Sequence, residues 1–131
     1  MVFELKSQVL GFEELQQIKL EKIDDMFAKA VNAEGEHPSF VLVNPFMLRE
    51  YDFEVPDYIK ILMDIDENSQ LAIYNVMVIQ SPLENSLVNF IAPFVFNFDN
   101  NSAAQIVLDN NIYPQYGILE PLNAFMQQTQ E

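Results

Sequence analysis

The feature that most constrains the fold of this chain is an apolar repeat with a period of two, which is typical of β strands. The repeat is clearest in residues 89–98, where every even position is apolar: Phe90, Ala92, Phe94, Phe96 and Phe98. The odd positions of this segment are mixed, so we expect one face in a core and the other against a second surface. Pro93 cannot donate to a neighbouring strand, which predicts an edge or a bulge there.

Other short apolar runs predict further strands. They cover residues 3–5, 18–23, 40–43, 71–79 and 104–108, and polar turn residues lie between most of them. The run 71–79 is largely apolar at consecutive positions, as expected of a strand that is covered on both faces. Several short strands joined by turns favour a mainly β fold, either a small closed or semi-closed antiparallel β-barrel or a sandwich.

Two segments have the three- and four-residue spacing of a helix instead. Apolar residues in the range 23–31 have this spacing, and two acids lie in its first turn, where the helix dipole favours them. Asp57 is a candidate cap for a short helical turn that carries Ile59 and Leu62. The spacing predicts one or two short helices beside the strands.

The C-terminal segment 118–131 differs from residues 1–117, which we expect to form the β domain. Four of its apolar residues fall on one face of a helix: Leu119, Leu122, Phe125 and Met126. Pro121 is near the start of the segment, where proline suits the first turn of a helix. Two interpretations remain open: a last helix packed on its own barrel, or a detachable amphipathic helix that binds a partner.

The charge of the chain is strongly one-sided. The 131 residues have a formal net charge of −14, and all six Lys and Arg residues lie in the first sixty positions. Residues 61–131 contain eight acids and no Lys or Arg. Because nucleic acids and anionic membranes are bound through cations, we expect neither as a direct partner. Long-range attraction favours a basic protein partner, although acidity also serves solubility alone.

Residues that could carry out chemistry are scarce. The chain has one histidine, His37, and no cysteine, so neither a catalytic triad nor a thiolate site is expected. Three glycines are too few for a phosphate loop or a dinucleotide-binding motif. The acids after Asp64 resemble the start of a calcium loop, but Ser69 stands where that loop needs glycine. We expect no enzymatic activity, no cofactor and no metal.

The length fits one domain with one core. No apolar run reaches membrane-spanning length without interruption. The first residues lack the basic start and the long apolar stretch of a signal peptide. A cytoplasmic location is therefore the expectation. A monomer is the default expectation, since nothing in the sequence determines the oligomeric state.

Several short motifs occur in the order seen in one known family. They are Leu10-Gly11-Phe12-Glu13, Asn44-Pro45-Phe46, Tyr51-Asp52-Phe53-Glu54-Val55, residues 89–97, and Gln105-Ile106-Val107-Leu108 followed by Tyr113. Each motif alone is weakly specific, whereas the ordered set with matching spacing is specific. In these motifs the chain resembles the FliW-type flagellar assembly factors, and the resemblance covers nearly all of the β domain.

The resemblance implies a β-barrel-like domain without catalytic activity and with two competing protein partners. One is CsrA, a small dimeric RNA-binding protein that represses translation of flagellin messages, and the other is flagellin itself. FliW-type proteins bind CsrA and relieve this repression until free flagellin captures them. Two alternatives remain: an export chaperone that only shields flagellin, and a small-molecule-binding or hydrolytic β-barrel, whose signature is a deep apolar pocket.

Nine residues are candidates for partner binding: Pro45, Phe46, Tyr51, Asn89, Asn97, Leu119, Leu122, Phe125 and Met126. The first three are candidates for a surface aromatic patch, since Tyr is favoured at interfaces. The two asparagines lie on the mixed face of segment 89–98, and the last four form the apolar face of the predicted C-terminal helix. For each group the alternative is structural: fixing a loop, bonding to a neighbouring turn, or packing on the barrel.

Overall fold

The structure is a computed structural model, and it describes residues 1–35 and 37–126. Within these ranges the chain forms nine strands: β1 (Val2–Leu5), β2 (Gln17–Lys22), β3 (Phe27–Asn32), β4 (Ser39–Val43), β5 (Leu71–Val78), β6 (Leu87–Val88), β7 (Phe94–Asn97), β8 (Ser102–Gln105) and β9 (Glu120–Pro121). The connections contain two α-helices and three 3₁₀ turns: α1 (Asp57–Met63), α2 (Asn123–Met126), Pro45–Met47, Leu83–Asn85 and Pro114–Tyr116. The mainly β fold with short helices confirms the prediction.

Seven of the strands close into a barrel. Each strand pairs with the next in the order β1, β2, β3, β4, β5, β7 and β8, and β8 pairs with β1. The β8–β1 pair is parallel, and the other pairs of the barrel are antiparallel. Strands β6 and β9 extend the sheet outside the barrel, because β6 pairs with the end of β5 and β9 pairs with β6. The predicted small barrel is therefore a closed one.

The barrel interior is filled by side chains from alternate positions of its strands. Large aromatic residues and small alanines together fill the narrow space. The buried residues of this interior core are Phe3, Val9, Leu15, Ile18, Ala28, Ala30, Leu42, Phe94, Phe96 and Ala103. The ring of Phe3 packs edge-on against the ring of Phe96, with centroids 5.1 Å apart. The interior is thus a packed core.

A second core covers the outer face of β4, β5, β7 and β8. Along β7, Phe94 and Phe96 belong to the interior core, whereas Val95 between them belongs to the outer one. The chain between β4 and β5, which includes α1, and the chain after β8 cover this face. The buried residues of the outer core are Val43, Leu48, Tyr51, Ile59, Met63, Met77, Val88, Phe90, Val95, Ala104, Ile106, Leu108, Tyr116, Leu122 and Phe125.

The predicted helix in residues 23–31 is wrong, because these residues form a turn and strand β3. The Asp24 carboxylate accepts hydrogen bonds from the main-chain nitrogens of Met26 and Phe27, at 2.8 and 2.7 Å, and fixes a tight turn after β2. Two alanines of β3 then lie in the interior core at a spacing of two. Packing inside the barrel outweighs the local helical spacing.

Segment 89–98 also differs from the prediction. Only Phe94–Asn97 form a strand, and this strand lies between β5 and β8 rather than at an edge. Pro93 comes just before it, and the Pro93 carbonyl accepts a 2.9 Å hydrogen bond from the Ile106 nitrogen. Phe90 lies in the outer core, whereas Phe94 lies in the interior, so the even positions do not share one face.

Helix α1 confirms the predicted turn after Asp57. Asp57 is the first helical residue rather than the cap, since Pro56 occupies the cap position and no side chain bonds there. Asp64 ends the helix in the left-handed conformation, with φ of 54°.

None of the helices in the described part of the chain has the length and apolar character that a membrane crossing requires.

The described part of the C-terminal segment packs on its own barrel. It forms strand β9 and then the single turn α2, so it is not one continuous helix. Pro121 lies in the strand rather than in a first helical turn, and the Leu122 nitrogen donates to the Ser86 carbonyl at 2.8 Å. The predicted helical residues 127–131 lie outside the described residues.

Candidate protein-binding site

Tyr51 lies at the centre of a polar cluster in the outer core. Its ring packs against the rings of Phe90 and Tyr116, with centroids 5.8 and 4.7 Å away. Its hydroxyl donates a 2.6 Å hydrogen bond to the Phe90 carbonyl. Burial raises the pKa of the Tyr51 phenol well above its ordinary value of 10.0. The phenol therefore keeps its proton, and can donate this hydrogen bond, to a higher pH than an exposed tyrosine can.

Asn75, on the outward face of β5, connects this cluster to the barrel wall. Its side-chain nitrogen lies 3.2 Å from the Tyr51 hydroxyl and donates to the Asn89 carbonyl at 2.9 Å. Asn75 is fully buried, and its side-chain oxygen has no hydrogen-bond partner in the described part of the chain. An unpaired buried oxygen lowers stability. The two hydrogen bonds of the side-chain nitrogen hold the residue in place against this cost.

Arg49 fastens the C-terminal segment onto the cluster. Its guanidinium carbon lies 5.1, 5.0 and 5.9 Å from the ring centroids of Phe90, Tyr116 and Phe125. The guanidinium also donates to the Glu120 carboxylate at 2.8 Å, and the two side chains are 23% and 27% exposed. Arg49 thus joins the chain before α1 to strand β9 and helix α2.

Two further tyrosines hold the chain between Arg49 and α1. The Tyr116 hydroxyl accepts a hydrogen bond from the Asp52 nitrogen at 3.0 Å and donates to the Asp52 carbonyl at 3.2 Å. The Tyr113 hydroxyl accepts from the Glu54 nitrogen at 3.0 Å. These bonds give a segment without regular secondary structure a fixed path over the barrel.

The structure brings the candidates Pro45, Phe46 and Tyr51 together, but only Phe46 is open to solvent. Pro45 and Tyr51 are buried, whereas Phe46 is 54% exposed. The Phe46 ring lies 6.1 Å from the Tyr51 ring. The main-chain nitrogen of Phe46 donates to the Asn44 side-chain oxygen at 3.0 Å. Phe46 and the exposed neighbour Met47 are therefore the part of the predicted patch that a partner can reach directly.

The candidates Asn89 and Asn97 lie in different places. Asn89 is half-buried, and its side-chain oxygen accepts from the Ile91 nitrogen at 3.2 Å. Asn97 is fully buried, donates to the Met63 carbonyl at 3.1 Å and accepts from the Asp99 nitrogen at 3.0 Å. The Asn89 side chain thus bonds within its own segment, whereas the Asn97 side chain also bonds to the end of α1. A role of either residue in partner binding stays a prediction.

The C-terminal candidates divide by burial. Leu122 and Phe125 are buried in the outer core, and the Phe125 ring packs edge-on against Phe90 at 5.5 Å. Leu119 is 48% exposed. Met126 is the last residue of α2, and its side chain lies outside the described part of the structure. Contact between a partner and Leu122 or Phe125 would need the segment to detach, and this too stays a prediction.

The chemistry of the cluster is that of a scaffold. Its polar groups are phenols, amides and one Arg–Glu pair, and nearly all of them bond to a neighbour. Across residues 1–35 and 37–126, no group of three or more His, Asp or Glu side chains could hold a metal ion. The arrangement presents exposed apolar side chains, among them Phe46 and Met47, on an acidic chain, which suits contact with another protein.

Comparison of the sequence with known proteins assigns the chain to a family. The model of the family described as FliW protein matches residues 1–121 of the chain. The chain belongs to the FliW family. The flagellar assembly factor FliW 2 of Wolinella succinogenes is 54% identical over 125 residues, which are 95% of this chain and 92% of the relative. The family predicted from the ordered motifs is therefore confirmed.

Other FliW proteins extend the match. The flagellar assembly factor FliW of Sulfurimonas denitrificans is 46% identical over 97% of this chain and 99% of its own length. A crystal structure of the flagellar assembly factor FliW superposes with a TM-score of 0.82 over 92% of this chain and 84% of that chain. The two share 22% of their residues, so this likeness concerns the fold.

Four residues that hold the scaffold of this FliW-family chain are absent from the sequence-based candidates: Arg49, Asn75, Tyr116 and Glu120. Asn75 does leave a signal, because it is the one strongly polar residue inside the apolar run 71–79. A polar residue in a buried strand indicates a specific hydrogen bond. Arg49 is the only arginine of the chain, but its position in the sequence does not indicate which rings it contacts.

Proposed function

We propose that this FliW-family protein binds CsrA in the cytoplasm and relieves its repression of flagellin messages, with flagellin as the competing partner. The observation that carries the proposal is the match of the FliW family model to residues 1–121, which span the barrel and strand β9. The relatives from Wolinella and Sulfurimonas are flagellar assembly factors, which supports a role in building the flagellum.

The charge of the chain supports a basic partner. An RNA-binding protein carries positive potential where it contacts phosphates. This chain has a net charge of −14 and no Lys or Arg in residues 61–131. The opposite charges would speed the encounter of the two proteins, and the bound acidic protein would repel RNA from CsrA.

Competition gives the proposed regulation its direction. If flagellin and CsrA cannot both be bound, occupancy by flagellin sets the amount of free CsrA. Flagellin that accumulates before export would then restore repression of its own message. The binding free energies of the two partners decide at which flagellin concentration this happens.

Calorimetric titration of the full chain with purified CsrA, and then with purified flagellin, tests the proposal. We expect a saturable complex with each partner and a weaker apparent affinity for CsrA after the protein has been saturated with flagellin. If CsrA formed no complex, or if flagellin formed none, the proposed function would be contradicted. Binding of both partners at once, with unchanged affinities, would contradict the competition.

Salt dependence tests the electrostatic part separately. Raising the ionic strength screens the attraction between separated charges, so the association rate constant with CsrA should fall while the dissociation rate constant changes less. Stopped-flow measurements over a range of salt concentrations give both constants. An association rate constant that does not depend on salt would remove electrostatic steering and leave binding itself intact.

An export chaperone that only shields flagellin is the second candidate function. The exposed apolar side chains of Phe46, Met47 and Leu119 favour it, since such residues can cover a sticky segment of another protein. A pull-down with purified CsrA separates the two functions, because the chaperone would retain flagellin alone. The small-molecule-binding or hydrolytic barrel has less support, since apolar side chains fill the barrel interior.

A further inference from the structure

The barrel is closed at one seam by a short pairing. Strand β4 pairs with the second half of β5 through only three register pairs: Val41–Met77, Leu42–Val76 and Val43–Asn75. The first half of β5, Leu71–Tyr74, pairs with β7 on its other side. After Val43 the chain enters the 3₁₀ turn Pro45–Met47, which lies beside β5 without pairing with it, so the β4 ladder does not continue along the first half of β5.

The direction of the main-chain groups in this half follows from one hydrogen bond. The Phe98 nitrogen donates to the Gln70 carbonyl at 2.9 Å, so Gln70 is a bonded position of the ladder with the β7 side. Bonded positions alternate in an antiparallel pair, and Leu71 and Ile73 therefore direct their N–H and C=O groups to the opposite side. Neither residue forms a main-chain hydrogen bond there with any described residue.

An open groove of about 340 Å³ runs along this edge. Its lining includes the four consecutive residues of segment 71–74 together with Asn44 and Phe46. Successive side chains of a strand point to opposite faces, so a groove lined by four consecutive residues follows the edge rather than one face. Phe46, 54% exposed, supplies an apolar contact on the far side of the groove.

The composition of this edge favours an added strand. Natural edge strands are usually protected by Lys, Pro or a bulge. The sequence Leu71-Ala72-Ile73-Tyr74 has none of these, and its β-branched and aromatic residues suit pairing. Leu71 and Ile73 each offer one donor and one acceptor to an incoming chain.

The charges around the groove are predominantly acidic. At one end, the Asn44 side chain donates to the Asp25 carbonyl, and the Asp25 carboxylate is exposed. At the other end, the Asp99 carboxylate accepts from the Gln70 nitrogen at 3.3 Å, and Asp66 lies in the exposed loop just before β5. The nearby cation Lys22 is 3.5 Å from the Asp25 carboxylate. The groove therefore favours a basic occupant.

We propose that the open edge of β5 at Leu71–Ile73 binds an extended, Lys- or Arg-bearing segment of the RNA-binding partner as an added strand. The main-chain groups supply the pairing, Phe46 supplies an apolar contact, and the surrounding carboxylates select for basic side chains. This inference rests on the proposed function, because it names the surface at which that partner docks.

Amide hydrogen exchange by NMR on the full chain tests the pairing. In the free protein the amides of Leu71 and Ile73 should exchange fast, and those of Ala72 and Tyr74, which face β7, should exchange slowly. In the complex with CsrA the first two should slow at least tenfold. A complex that leaves both fast would overturn this inference and leave the proposed function standing, whereas absence of a complex would overturn both.

A second copy of this chain is the competing occupant of the edge. If it were bound there, Leu71 and Ile73 would already be protected in the free protein, and sedimentation would show a mass that rises with concentration. That result would overturn the proposal. A monomeric free protein with fast exchange at both amides supports it.

Charge variants of Leu71 test the chemistry of the occupant. Leu71→Lys and Leu71→Glu both place a long polar side chain at a partly exposed position, so circular dichroism and thermal unfolding should agree for the two. We expect Leu71→Lys to weaken CsrA binding about tenfold, or about 1.4 kcal/mol, relative to Leu71→Glu. Equal affinities for the two variants would overturn the proposal.

Ile61→Lys is the matched control for the change in net charge. Ile61 is 79% exposed on α1, and Lys there alters the total charge by the same amount as Leu71→Lys. Affinity for CsrA should stay within about twofold of the unmodified protein. A loss equal to that of Leu71→Lys would show a long-range charge effect and overturn docking at β5.

Discussion

The two cores of this protein differ in how they are built. The interior core consists of apolar side chains, most of them at alternate positions of strands, and an aromatic pair such as Phe3 and Phe96 contributes through packing. The outer core also contains Tyr51 and Tyr116, and many of its residues come from segments without regular structure. Its irregular segments are held by side-chain hydrogen bonds and by Arg49.

The difference shows that the two faces of the same sheet place different demands on the side chains that cover them. Inside the barrel, any set of apolar side chains with the right volume and spacing fills the space. On the outer face, particular donors and acceptors determine the path of the covering loops. Damage to the interior should therefore unfold the barrel as a unit, and damage to the outer core should loosen the loops and the C-terminal segment first.

The largest effect is expected for Phe96→Ala. Phe96 is fully buried in the interior core, and its removal leaves a cavity among side chains that belong to rigid strands. The free energy of unfolding should fall by about 3–5 kcal/mol, measured by urea denaturation. Phe46→Ala, at an exposed aromatic residue, should cost much less. Similar losses for the two variants would contradict the packed interior.

Tyr51→Phe should have the next largest effect. The change removes the bond to the Phe90 carbonyl and one of the two bonds of the Asn75 side-chain nitrogen, which keeps its bond to the Asn89 carbonyl. A buried carbonyl and one buried N–H therefore lose their partner. We expect a loss of about 1–3 kcal/mol in the free energy of unfolding. The control Tyr58→Phe, at an exposed tyrosine of α1, should leave stability nearly unchanged.

The pH dependence of stability sharpens this prediction. The folded chain holds the Tyr51 proton to higher pH than the unfolded chain, whose phenol has a pKa of 10.0. The stabilising contribution is complete below that value and is lost as pH rises from it towards the raised pKa of the folded state. The unmodified protein should therefore lose more stability than Tyr51→Phe between about pH 8 and pH 10.5. Parallel losses would contradict the buried phenol.

The interior core could be predicted from the sequence to a large extent, because strand period and burial are local properties. The runs 71–79 and 40–43 correspond closely to β5 and β4. The prediction from apolar spacing was wrong in residues 23–31. A helical spacing occurs there, but the residues form a turn followed by a strand with inward-facing alanines. The prediction was also wrong at Phe90, because the chain turns between residues 90 and 94 and the ring enters the other core.

The candidate site was less predictable. Pro45, Phe46 and Tyr51 were identified as an aromatic group and do lie together, but the sequence did not indicate that only Phe46 is exposed. The pair Arg49–Glu120 joins residues far apart in the chain, and no local pattern reports such a contact. The open edge of β5 follows from the offset between β4 and β7, which is a property of register rather than of composition.

A smaller effect is expected for the pair Arg49–Glu120, which connects the C-terminal segment to the outer core. The variants Arg49→Met, Glu120→Gln and their combination form a double-mutant cycle that isolates the energy of the pair from the contacts of Arg49 with the rings. Since the side chains are 23% and 27% exposed, we expect a coupling of ~1 kcal/mol at low salt, which decreases as salt is added.

The exposed pair Lys22–Asp25, with side chains 65% and 88% exposed, is the control and should show a smaller coupling. Loss of the Arg49–Glu120 pair should act mainly on the outer core, so amide exchange should rise at Leu122 and Phe125 before it rises at Phe96. Exchange that rises equally at all three amides would show that the C-terminal segment and the barrel open as one unit, and the distinction between the two cores would not hold.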